Sequence, residues 1–397
     1  MKKHLLFIIF LNLSLTTFSQ WTTLNSGTSE WLRGVSFINK DTGIVVGYNG
    51  TILRTLNGGA NWTEINSNTT EHLYSVFFAN DQIGYIAGDN GKVLKTTNSG
   101  LTWFDISTGS YDLRQVFFVS TDIGFVAGQL GAIFKTTNGG TNWTNLSISH
   151  NGLVSVFFNN PDTGFVVGLG QTDAIIKTTD GGSNWTDKHP NTFAEYGSVV
   201  FTGIDTGYVC STGAIDRNIL KSTDAGNTWT VIYTAPFDGL YSLKFPTSNI
   251  GYVAGGYSGS SIMLRTQDGG INWNSQNTST SQPLFDCYFV TKDIGYAVGM
   301  NGAIIKTMNG GDGISEFANS ILTNVYPNPT TNLLNIELNE KNNLPIEIAL
   351  TNLCGQKIEN KKISNKGQID LTNIANGIYV LTIKVGDYIV TRKITKE

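Results

Sequence analysis

The sequence predicts an all-β protein, and the first of three observations behind this is a repeat of about forty residues. Seven copies of the repeat align on the glycines Gly43, Gly84, Gly124, Gly164, Gly207, Gly251 and Gly295. Within each copy the apolar residues alternate with a period of two, as in strands, and no helical period interrupts them. Glycine is also abundant, at 45 of 397 residues. This fits turn-rich β-structure, because the apolar pattern continues throughout.

Each repeat contains four short segments with the character of strands. A phenylalanine stands six residues before each aligned glycine and a smaller apolar residue stands eight before it, so both lie on one face of a strand. In the third repeat, two further strands follow at residues 125–128 and 132–136, and a glycine-rich turn leads to Trp143. Four strands repeated at this length are typical of propeller blades, which must pack in a ring to bury both faces. We therefore predict a seven-bladed β-propeller.

The N-terminus is predicted to close this ring. Residues Trp21–Asn25 resemble the strand that begins at each repeat tryptophan, for example Trp62–Asn66. The seventh repeat lacks this strand, because no tryptophan follows its turn at Asn309. The N-terminal segment can therefore supply the fourth strand of the last blade and cover two strand edges.

The turn before each tryptophan resembles the Asp-box, and residues 222–229 fit that motif fully. Asn and Asp side chains in such turns bond nearby backbone N–H groups, which predicts a structural role. The turn residues are Asn57, Asn98, Asn138, Asp180, Asp224, Asp268 and Asn309. With its I-G-Y-x-x-G and K-T-T-N-G-G segments, the array over residues 21–313 resembles the propeller of the Ycf48/Hcf136-like family, the photosystem II assembly and stability factors. The resemblance implies the propeller fold.

The two ends of the chain differ from the repeats. Residues 1–19 have the basic start, short apolar run and small-residue cleavage site of a secretory signal peptide, and the run is too short to span a bilayer. We predict the propeller over residues 20–313, a linker over 314–322 and a second domain over 323–397. No later stretch is apolar and long enough to be a transmembrane segment.

The second domain is predicted to be a small Ig-like β-sandwich, because residues 334–338, 346–350 and 379–383 alternate as strands. Y-P-N-P at Tyr326, the segments 350–356 and 370–379, and the basic tail 392–396 resemble the C-terminal sorting domain of type IX secretion cargo. That resemblance implies the type IX translocon as a partner. It also implies a secreted or cell-surface protein that passes through the periplasm of a Gram-negative bacterium.

Several functions find no support in the sequence. The net charge of −4 gives no basic surface for nucleic acid. The four histidines and three cysteines show no metal-ligand spacing, and no phosphate-binding loop or other cofactor motif occurs. Cys210 and Cys287 occupy apolar slots of the repeat, so we interpret them as buried core residues. We therefore predict no metal, no cofactor and no catalytic residue.

An extracellular glycoside hydrolase, sialidase-like or another Asp-box hydrolase, remains the alternative. Any two of the loop carboxylates could face each other at the distance that such enzymes need, and nothing in the sequence selects a pair. A sialidase would also need clustered arginines to hold its substrate. The propeller has only Arg33, Arg54, Arg114, Arg217 and Arg265.

A ligand-binding surface is predicted where the first strand of each blade begins. Ten residues before the aligned glycines stand Arg33, Tyr74, Arg114, Val154, Gly197, Tyr241 and Phe285. The packing that makes the core slots uniform does not fix these residues, and Trp, Tyr and Arg dominate binding energy at interfaces. The candidate residues, which include those two positions earlier, are Trp31, Arg33, His72, Tyr74, Asp112, Arg114, Glu195 and Tyr241. We predict a non-catalytic binding or assembly module for a protein or glycan ligand, although such rings can also simply plug a channel mouth.

Overall fold

A computed structural model describes most of the chain. The described residues are 20–150, 152–169, 174–188, 190, 195–213, 217–236, 239–257, 259–311, 322–338, 346–352, 355–364, 366–385 and 388–397. The predicted signal peptide and almost all of the predicted linker lie outside these residues. The chain divides into two compact units, one of residues Ser19–Gly311 and one that contains Asp312–Glu397.

Within its described residues, the first unit contains seven antiparallel sheets of four strands each. The chain begins with β1 (Thr22–Leu24), and sheet 1 then contains β2 (Leu32–Phe37), β3 (Gly43–Gly47), β4 (Ile52–Thr55) and β5 (Thr63–Glu64). Sheet 2 contains β6 (Leu73–Phe78), β7 (Gly84–Gly88), β8 (Val93–Thr96) and β9 (Phe104–Asp105). Sheet 3 contains β10 (Leu113–Phe118), β11 (Gly124–Gly128), β12 (Ile133–Thr136) and β13 (Thr144–Asn145). Short 3-10 turns cover Tyr48–Gly50 and Met300–Gly302.

Sheets 4 to 7 repeat this order, and sheet 7 takes β1 as its fourth strand. Sheet 4 contains β14 (Gly152–Phe158), β15 (Gly164–Leu169), β16 (Ile175–Thr178) and β17 (Thr186–Asp187), and sheet 5 contains β18 (Tyr196–Phe201), β19 (Gly207–Ser211), β20 (Asn218–Ser222) and β21 (Thr230–Thr234). Sheet 6 contains β22 (Leu240–Lys244), β23 (Gly251–Tyr257), β24 (Ser260–Thr266) and β25 (Asn274–Ser275). Sheet 7 contains β26 (Leu284–Phe289), β27 (Gly295–Gly299) and β28 (Ile304–Thr307).

The aligned glycine of each repeat makes room for the phenylalanine six residues before it. Gly124 pairs with Phe118 across the first two strands of sheet 3, and a Cβ atom on Gly124 would lie 2.4 Å from that ring. No side chain larger than hydrogen fits there. The same crowding recurs at all seven aligned glycines, so the sequence period reflects one packing arrangement repeated seven times.

Neighbouring sheets are joined by stacked rings. The residue after the aligned glycine lies over the phenylalanine of the next sheet, as Tyr85 does over Phe118 with ring centroids 3.7 Å apart. Tyr296 of sheet 7 lies over Phe37 of sheet 1 at 3.8 Å. First strands contact one another in sequence order, and β26 contacts β2. The arrangement is that of a β-propeller.

The N-terminal strand joins the last sheet. Strand β1 pairs antiparallel with β28, with Thr22 opposite Lys306. Trp21 is fully buried and meets the Phe289 ring edge-on at 5.9 Å. The register confirms that the N-terminus supplies the strand that the seventh repeat lacks.

The Asp-box turns are bonded within each sheet and to the next sheet. In sheet 5, the Asp224 carboxylate accepts hydrogen bonds from the Thr228 hydroxyl at 2.7 Å and from its N–H at 2.9 Å. These bonds lower the pKa of Asp224 to about 2. Lys95 in sheet 2 donates to the Gly139 carbonyl in the turn of sheet 3, at 2.6 Å. This geometry supports a structural role for the turns.

The second unit has two antiparallel sheets among its described residues, ordered β29-β30-β33 and β32-β31-β34-β35. The strands are β29 (Leu322–Tyr326), β30 (Leu333–Leu338), β31 (Ile346–Asn352), β32 (Lys357–Ile363), β33 (Lys366–Asp370), β34 (Gly377–Val385) and β35 (Tyr388–Lys396). Both sheets contribute to one core, which includes Leu334, Ile348 and Leu381. The strands predicted at 334–338, 346–350 and 379–383 lie within β30, β31 and β34.

The Y-P-N-P segment joins the two ends of the second unit. Asn328 donates from its amide to the Lys393 carbonyl at 2.8 Å and accepts from the Thr395 N–H at 2.9 Å. In the part of the chain that is described, no helix has the length and apolar character to cross a membrane.

Candidate functional site at the axial cavity

A cavity of about 110 Å³ lies where the first strands of the seven sheets begin. Its lining includes every residue of the predicted slot, namely Arg33, Tyr74, Arg114, Val154, Gly197, Tyr241 and Phe285. Farther along the strands it is lined by Ser75, Gln115, Ser198, Ser242, Lys244 and Asp286, with Thr212 from a loop. We call this space the axial cavity.

A β-bulge aims each slot residue into the axial cavity. In sheet 3, Leu113 pairs with Gly128 and Gln115 with Ala127, so Arg114 is the extra, unpaired residue. The same shift occurs in the first strand of every other sheet. A bulge re-aims a side chain and bends the strand. The glycine opposite permits this approach, since a Cβ on Gly128 would lie 2.0 Å from the Asp112 carbonyl oxygen.

Arg33 packs among aromatic rings, and no described residue gives it an anionic partner. Its guanidinium carbon lies 4.1 Å from the Phe285 ring centroid and 5.6 Å from that of Tyr74. Burial, together with nearby Arg114, lowers the pKa of Arg33. Among the described residues, no carboxylate lies within ion-pair distance of it. Among the described residues, the Arg33 guanidinium is therefore in contact with ring faces and with no carboxylate.

Arg114, by contrast, lies between two carboxylates. Its nitrogens are 3.7 Å from Asp89 Oδ1 and 3.8 Å from Asp112 Oδ2, and its guanidinium carbon is 3.9 Å from the Tyr74 ring centroid. The Tyr74 hydroxyl donates to Asp89 Oδ2 at 3.1 Å. Burial raises the pKa of Tyr74 to about 12, and burial with the nearby Asp112 charge raises the pKa of Asp89. This network joins sheets 2 and 3 at the cavity wall.

The floor of the cavity carries a third cation. Lys244 Nζ lies 3.7 Å from Asp286 Oδ1, which also accepts a hydrogen bond from the Ser242 hydroxyl at 2.7 Å. Burial disfavours the charge on Lys244, but Asp286 together with Cys287, Cys210 and Tyr288 outweighs the burial, and the pKa of Lys244 is raised. Three cations and one carboxylate thus line the cavity within the described residues. Carboxylates lie close to Arg114 and Lys244, so Arg33 is the lining cation that favours an anionic group.

An aromatic arc forms part of the cavity rim. Trp31 stacks on Tyr48 with centroids 5.3 Å apart, and Tyr48 stacks on His72 at 4.0 Å. Phe285 lies 5.9 Å from Trp31 and 5.7 Å from Tyr241. The arc therefore spans sheets 6, 7, 1 and 2.

The structure separates the eight predicted residues into three groups. Arg33, Tyr74, Arg114 and Tyr241 line the cavity. Trp31, His72 and Asp112 lie at the rim. Glu195 is exposed and does not line the cavity, and its carbonyl accepts from the Thr212 N–H at 2.6 Å.

Two rim residues also connect neighbouring sheets. His72 Nδ1 accepts from the Asn49 N–H, and Asp112 Oδ1 accepts from the Asn90 N–H, both at 3.1 Å. Each bond runs from a sheet to the loop of the sheet before it. These two side chains therefore stabilise the ring whether or not a ligand binds.

The prediction leaves out Tyr48, Phe285, Asp89 and Lys244. Phe285 stands in the slot itself, so its aromatic type was an available signal. Tyr48 and Asp89 occupy equivalent positions in the loops between the second and third strands of sheets 1 and 2. The repeat predicts that these loops open on the same face as the start of the first strands, but it does not show which of their side chains reach the cavity. Lys244 lies three residues after the slot and two after Ser242, which also lines the cavity, and the other repeats show no cation at this position.

The two described cysteines have the burial and the thiol pKa values of unreactive core residues. Cys210 and Cys287 are fully buried. Burial raises the pKa of both thiols, that of Cys287 to about 12. Reactive cysteines have lowered pKa values and partial exposure. No group of three His, Cys, Asp or Glu side chains among the described residues could hold a metal ion.

Comparisons with known proteins identify both units. The photosynthesis system II assembly factor YCF48 family matches residues 13–148 and 144–237. The secretion system C-terminal sorting domain matches residues 324–397 and indicates export. No curated protein matches the chain.

Solved structures resemble the chain at low identity. YCF48 bound to D1 peptide has a TM-score of 0.62 and 21% identity, over 74% of this chain and 98% of that one. YCF48 from Cyanidioschyzon merolae has a TM-score of 0.60 and 20% identity, over 72% of this chain and 98% of that one. A GH74 xyloglucanase from Xanthomonas campestris has a TM-score of 0.59 and 13% identity, over 80% of this chain and 59% of that one. At these identities the likeness extends to the fold alone.

The family match spans residues 13–237, more than half of the 397 residues. It falls on the repeats whose packed glycines, stacked rings and Asp-box turns build the propeller. The chain therefore belongs to the family of the photosystem II assembly factor YCF48.

Proposed function

We propose that this chain is a secreted, non-catalytic binding module that holds a protein ligand at the axial cavity. In this proposal the seven sheets are the blades of a seven-bladed propeller closed by β1. The second unit is an Ig-like sorting domain that the type IX translocon reads during export. The seven sheets, the pairing of β1 with β28 and the sorting-domain match support these assignments.

The proposal rests on the position and the contacts of the Arg33 side chain. A guanidinium has five N–H donors and binds carboxylates through a rigid fork. Arg33 faces the axial cavity without a described carboxylate partner, while Arg114 has two close by. A carboxylate brought by a ligand would complete the site.

The size of the axial cavity favours a protein over a glycan. Pockets that enclose small molecules measure about 300–1,000 Å³, whereas this cavity measures about 110 Å³. It can admit one side chain or a chain end, while the aromatic rim contacts the flanking residues. The YCF48 structure with a bound D1 peptide provides a precedent for peptide binding on this fold.

A paired screen tests the proposal. Residues 20–397 would be applied to a peptide library that contains acidic and amidated versions of each sequence, and to a glycan array. We expect binding to peptides with a carboxylate and loss of binding to their amidated partners. Binding to glycans alone, or equal binding to acidic and amidated peptides, would contradict it.

The alternative is a glycoside hydrolase, favoured by the GH74 likeness and by the raised pKa of Asp89 beside Asp112. Asp89, however, accepts from Tyr74, and Asp112 accepts from the Asn90 N–H. Neither carboxylate stands open opposite the other. Turnover of xyloglucan or a sialoside by the wild type, lost in Asp89→Asn, would support the enzyme instead.

A further inference from the structure

The loop between the second and third strands contains a left-handed asparagine in three of the sheets. Asn49 in sheet 1, Asn90 in sheet 2 and Asn301 in sheet 7 have φ values of 53°, 54° and 54°. Each of their side-chain amides donates to a residue that precedes the first strand of the same sheet, as Asn49 does to the Glu30 carboxylate at 2.9 Å. The three loops are therefore built alike, but those of sheets 1 and 2 differ in the group that accepts the backbone N–H of the asparagine.

A histidine holds the loop of sheet 1 where an aspartate holds the loop of sheet 2. The Asn49 N–H donates to His72 Nδ1 and the Asn90 N–H donates to Asp112 Oδ1, both at 3.1 Å. His72 and Asp112 each stand directly before the first strand of the following sheet. Nδ1 of histidine and Oδ1 of aspartate are both bonded to Cγ, so two different side chains place an acceptor at the same point.

The two acceptors respond differently to protons. Neutral histidine can accept at Nδ1 when Nε2 carries its proton, whereas the protonated ring donates from both nitrogens. An unperturbed histidine changes charge near pH ~6.5 and an unperturbed aspartate near pH ~3.9. Protonation of His72 therefore replaces the acceptor of the Asn49 N–H by a donor, and the bond is lost.

Loss of this bond loosens the loop without unfolding it. Asn49 is exposed, so water can take the place of the lost acceptor. The neighbouring Gly50 N–H still donates to the Glu71 carbonyl at 2.9 Å, and this backbone bond does not titrate.

The same loop carries Tyr48, a member of the aromatic arc. The Tyr48 ring stacks on His72 at 4.0 Å and on Trp31 at 5.3 Å. Its centroid lies 6.0 Å from the guanidinium carbon of Arg33. The bond to His72 Nδ1 thus fixes a ring beside the guanidinium at the axial cavity.

We propose that His72 is a pH-sensitive switch that holds the loop Tyr48–Gly50 in place when neutral and releases it when protonated. The switch itself needs no ligand, whereas its effect on binding rests on the proposed function. Release of Tyr48 loosens the part of the rim that contacts the residues flanking the ligand carboxylate. Affinity for an acidic peptide should therefore fall between about pH 7.5 and pH 5.5, the range in which an unperturbed histidine gains its proton.

Other titratable groups lie on the elements packed around His72. Its own carbonyl accepts from the Asp89 N–H at 2.9 Å. Burial and the nearby Asp112 charge raise the pKa of Asp89, so any titration of Asp89 has to be separated from that of His72. The remaining titratable or charged groups of this region are Tyr48, Tyr74, Glu30, Glu71, Asp112, Arg33 and Arg114. Variants at His72 alone leave all of them unchanged.

Amide exchange measured by NMR on residues 20–397, without ligand, tests the switch. The rate at Asn49 is divided by the rate at Asn90 in the same sample, at about pH 7.5 and pH 5.5, so that the intrinsic pH dependence of exchange cancels. We expect the ratio to rise roughly two- to tenfold at pH 5.5, the range that one net hydrogen bond allows. His72→Asn keeps an acceptor on Cγ that does not titrate, so its ratio should stay constant. His72→Phe keeps a ring on Tyr48 without an acceptor, so its ratio should be raised at both pH values.

The outcomes separate the switch from the proposed function. A wild-type ratio that is equal at both pH values would overturn the switch. An equal rise in His72→Asn would overturn it as well, because the response would then belong to another group such as Asp89. If no peptide binds in the screen, the proposed function fails while the exchange ratios still decide the switch.

The affinity of the tightest acidic peptide from the screen tests the effect on the site. It should fall by a similar factor at pH 5.5 in the wild type and stay constant in His72→Asn. A wild-type affinity that is unchanged at pH 5.5, or that rises because the new charge on His72 attracts the ligand, would overturn this regulation of the axial cavity.

Discussion

At the scale of single residues, the aligned glycines are required for space and not for an unusual backbone. Gly124 has no positive φ, yet a Cβ there would lie 2.4 Å from the Phe118 ring. Phe118 in turn contacts Tyr85 of the neighbouring sheet and Trp143 of its own. One added methyl group would therefore disturb the contact between two sheets.

Gly124→Ala should lower the melting temperature, because overpacking a core typically costs about 1–3 kcal/mol. The matched control is Gly203→Ala, since a Cβ on Gly203 meets nothing within 4 Å and its φ is not positive. Thermal unfolding of both variants checks the prediction. Equal melting temperatures for the two would contradict the packing explanation.

The turn carboxylates should make stability depend on pH. Hydrogen bonds lower the pKa values of Asp180, Asp224 and Asp268, that of Asp224 to about 2. Each carboxylate has a folded-state pKa below the unfolded value of about 3.9, so it stabilises the folded protein at pH values above about 3.9. This stabilisation is lost as the pH falls towards 2. Replacing all three by Asn, the residue of the other four turns, should flatten the fall in melting temperature between pH 5 and 2. Parallel curves for wild type and variant would refute this.

The cavity residues mark the limit of residue-level prediction. The slot that contains Arg33 and Tyr74 could be found because its neighbours two and four positions on are nearly uniform in all repeats. The partners of those residues could not. Asp89 approaches Arg114 only because two sheets pack side by side, a relation that the order of residues along one repeat does not express.

At the scale of elements, the β-bulge in each first strand decides what enters the axial cavity. Without the extra residue, Arg114 would follow the regular alternation of the strand, and its side chain would lie on one face of the sheet instead of pointing into the axial cavity. The period of forty residues predicted the strands, but a bulge is visible only when two strands are paired residue by residue. The glycine at position 128 is the sequence trace of this bulge, since it makes room for the Asp112 carbonyl.

The N-terminal strand is the element with the most easily tested role. Deleting Trp21–Asn25 removes the fully buried Trp21 and leaves β28 as an open edge. Loss of a buried Trp side chain costs about 3–5 kcal/mol, so the melting temperature should fall clearly. Thr22→Ala, a change at an exposed position of the same strand, should have little effect. A deletion variant that melts with the wild type would reject this role of β1.

At the scale of the whole molecule, sheet 7 is tied to sheet 1 by polar contacts as well as by stacked rings. The Tyr296 hydroxyl and the Lys306 ammonium group both donate to the Gly58 carbonyl, at 3.0 Å and 2.8 Å. The repeat predicted that the seven units close into a ring, and these two hydrogen bonds lie at the junction of its last and first sheets. The sequence could not predict how much of the cavity stays open, since that depends on side chains from all seven sheets.

The two units should also separate in function. Removing Val325–Glu397 should leave a folded propeller in the periplasm of the native host, because in our proposal the sorting domain is the part read for export. Cell fractionation of the truncated and full-length proteins checks this, with Thr22→Ala in the full chain as the control that should be exported. Truncated protein outside the cell at the full-length level would contradict the assignment.

The central claim is that the axial cavity binds a ligand carboxylate through Arg33. The most direct measurement is the affinity of the wild type, Arg33→Ala and Lys292→Ala for the tightest acidic peptide from the screen. Lys292 is the matched control, an exposed cation beside Asp293 at the opposite end of sheet 7. Loss of a partly buried charge pair costs about 2–5 kcal/mol. We predict at least a tenfold loss for Arg33→Ala and none for Lys292→Ala, whereas unchanged affinity of Arg33→Ala would contradict the claim.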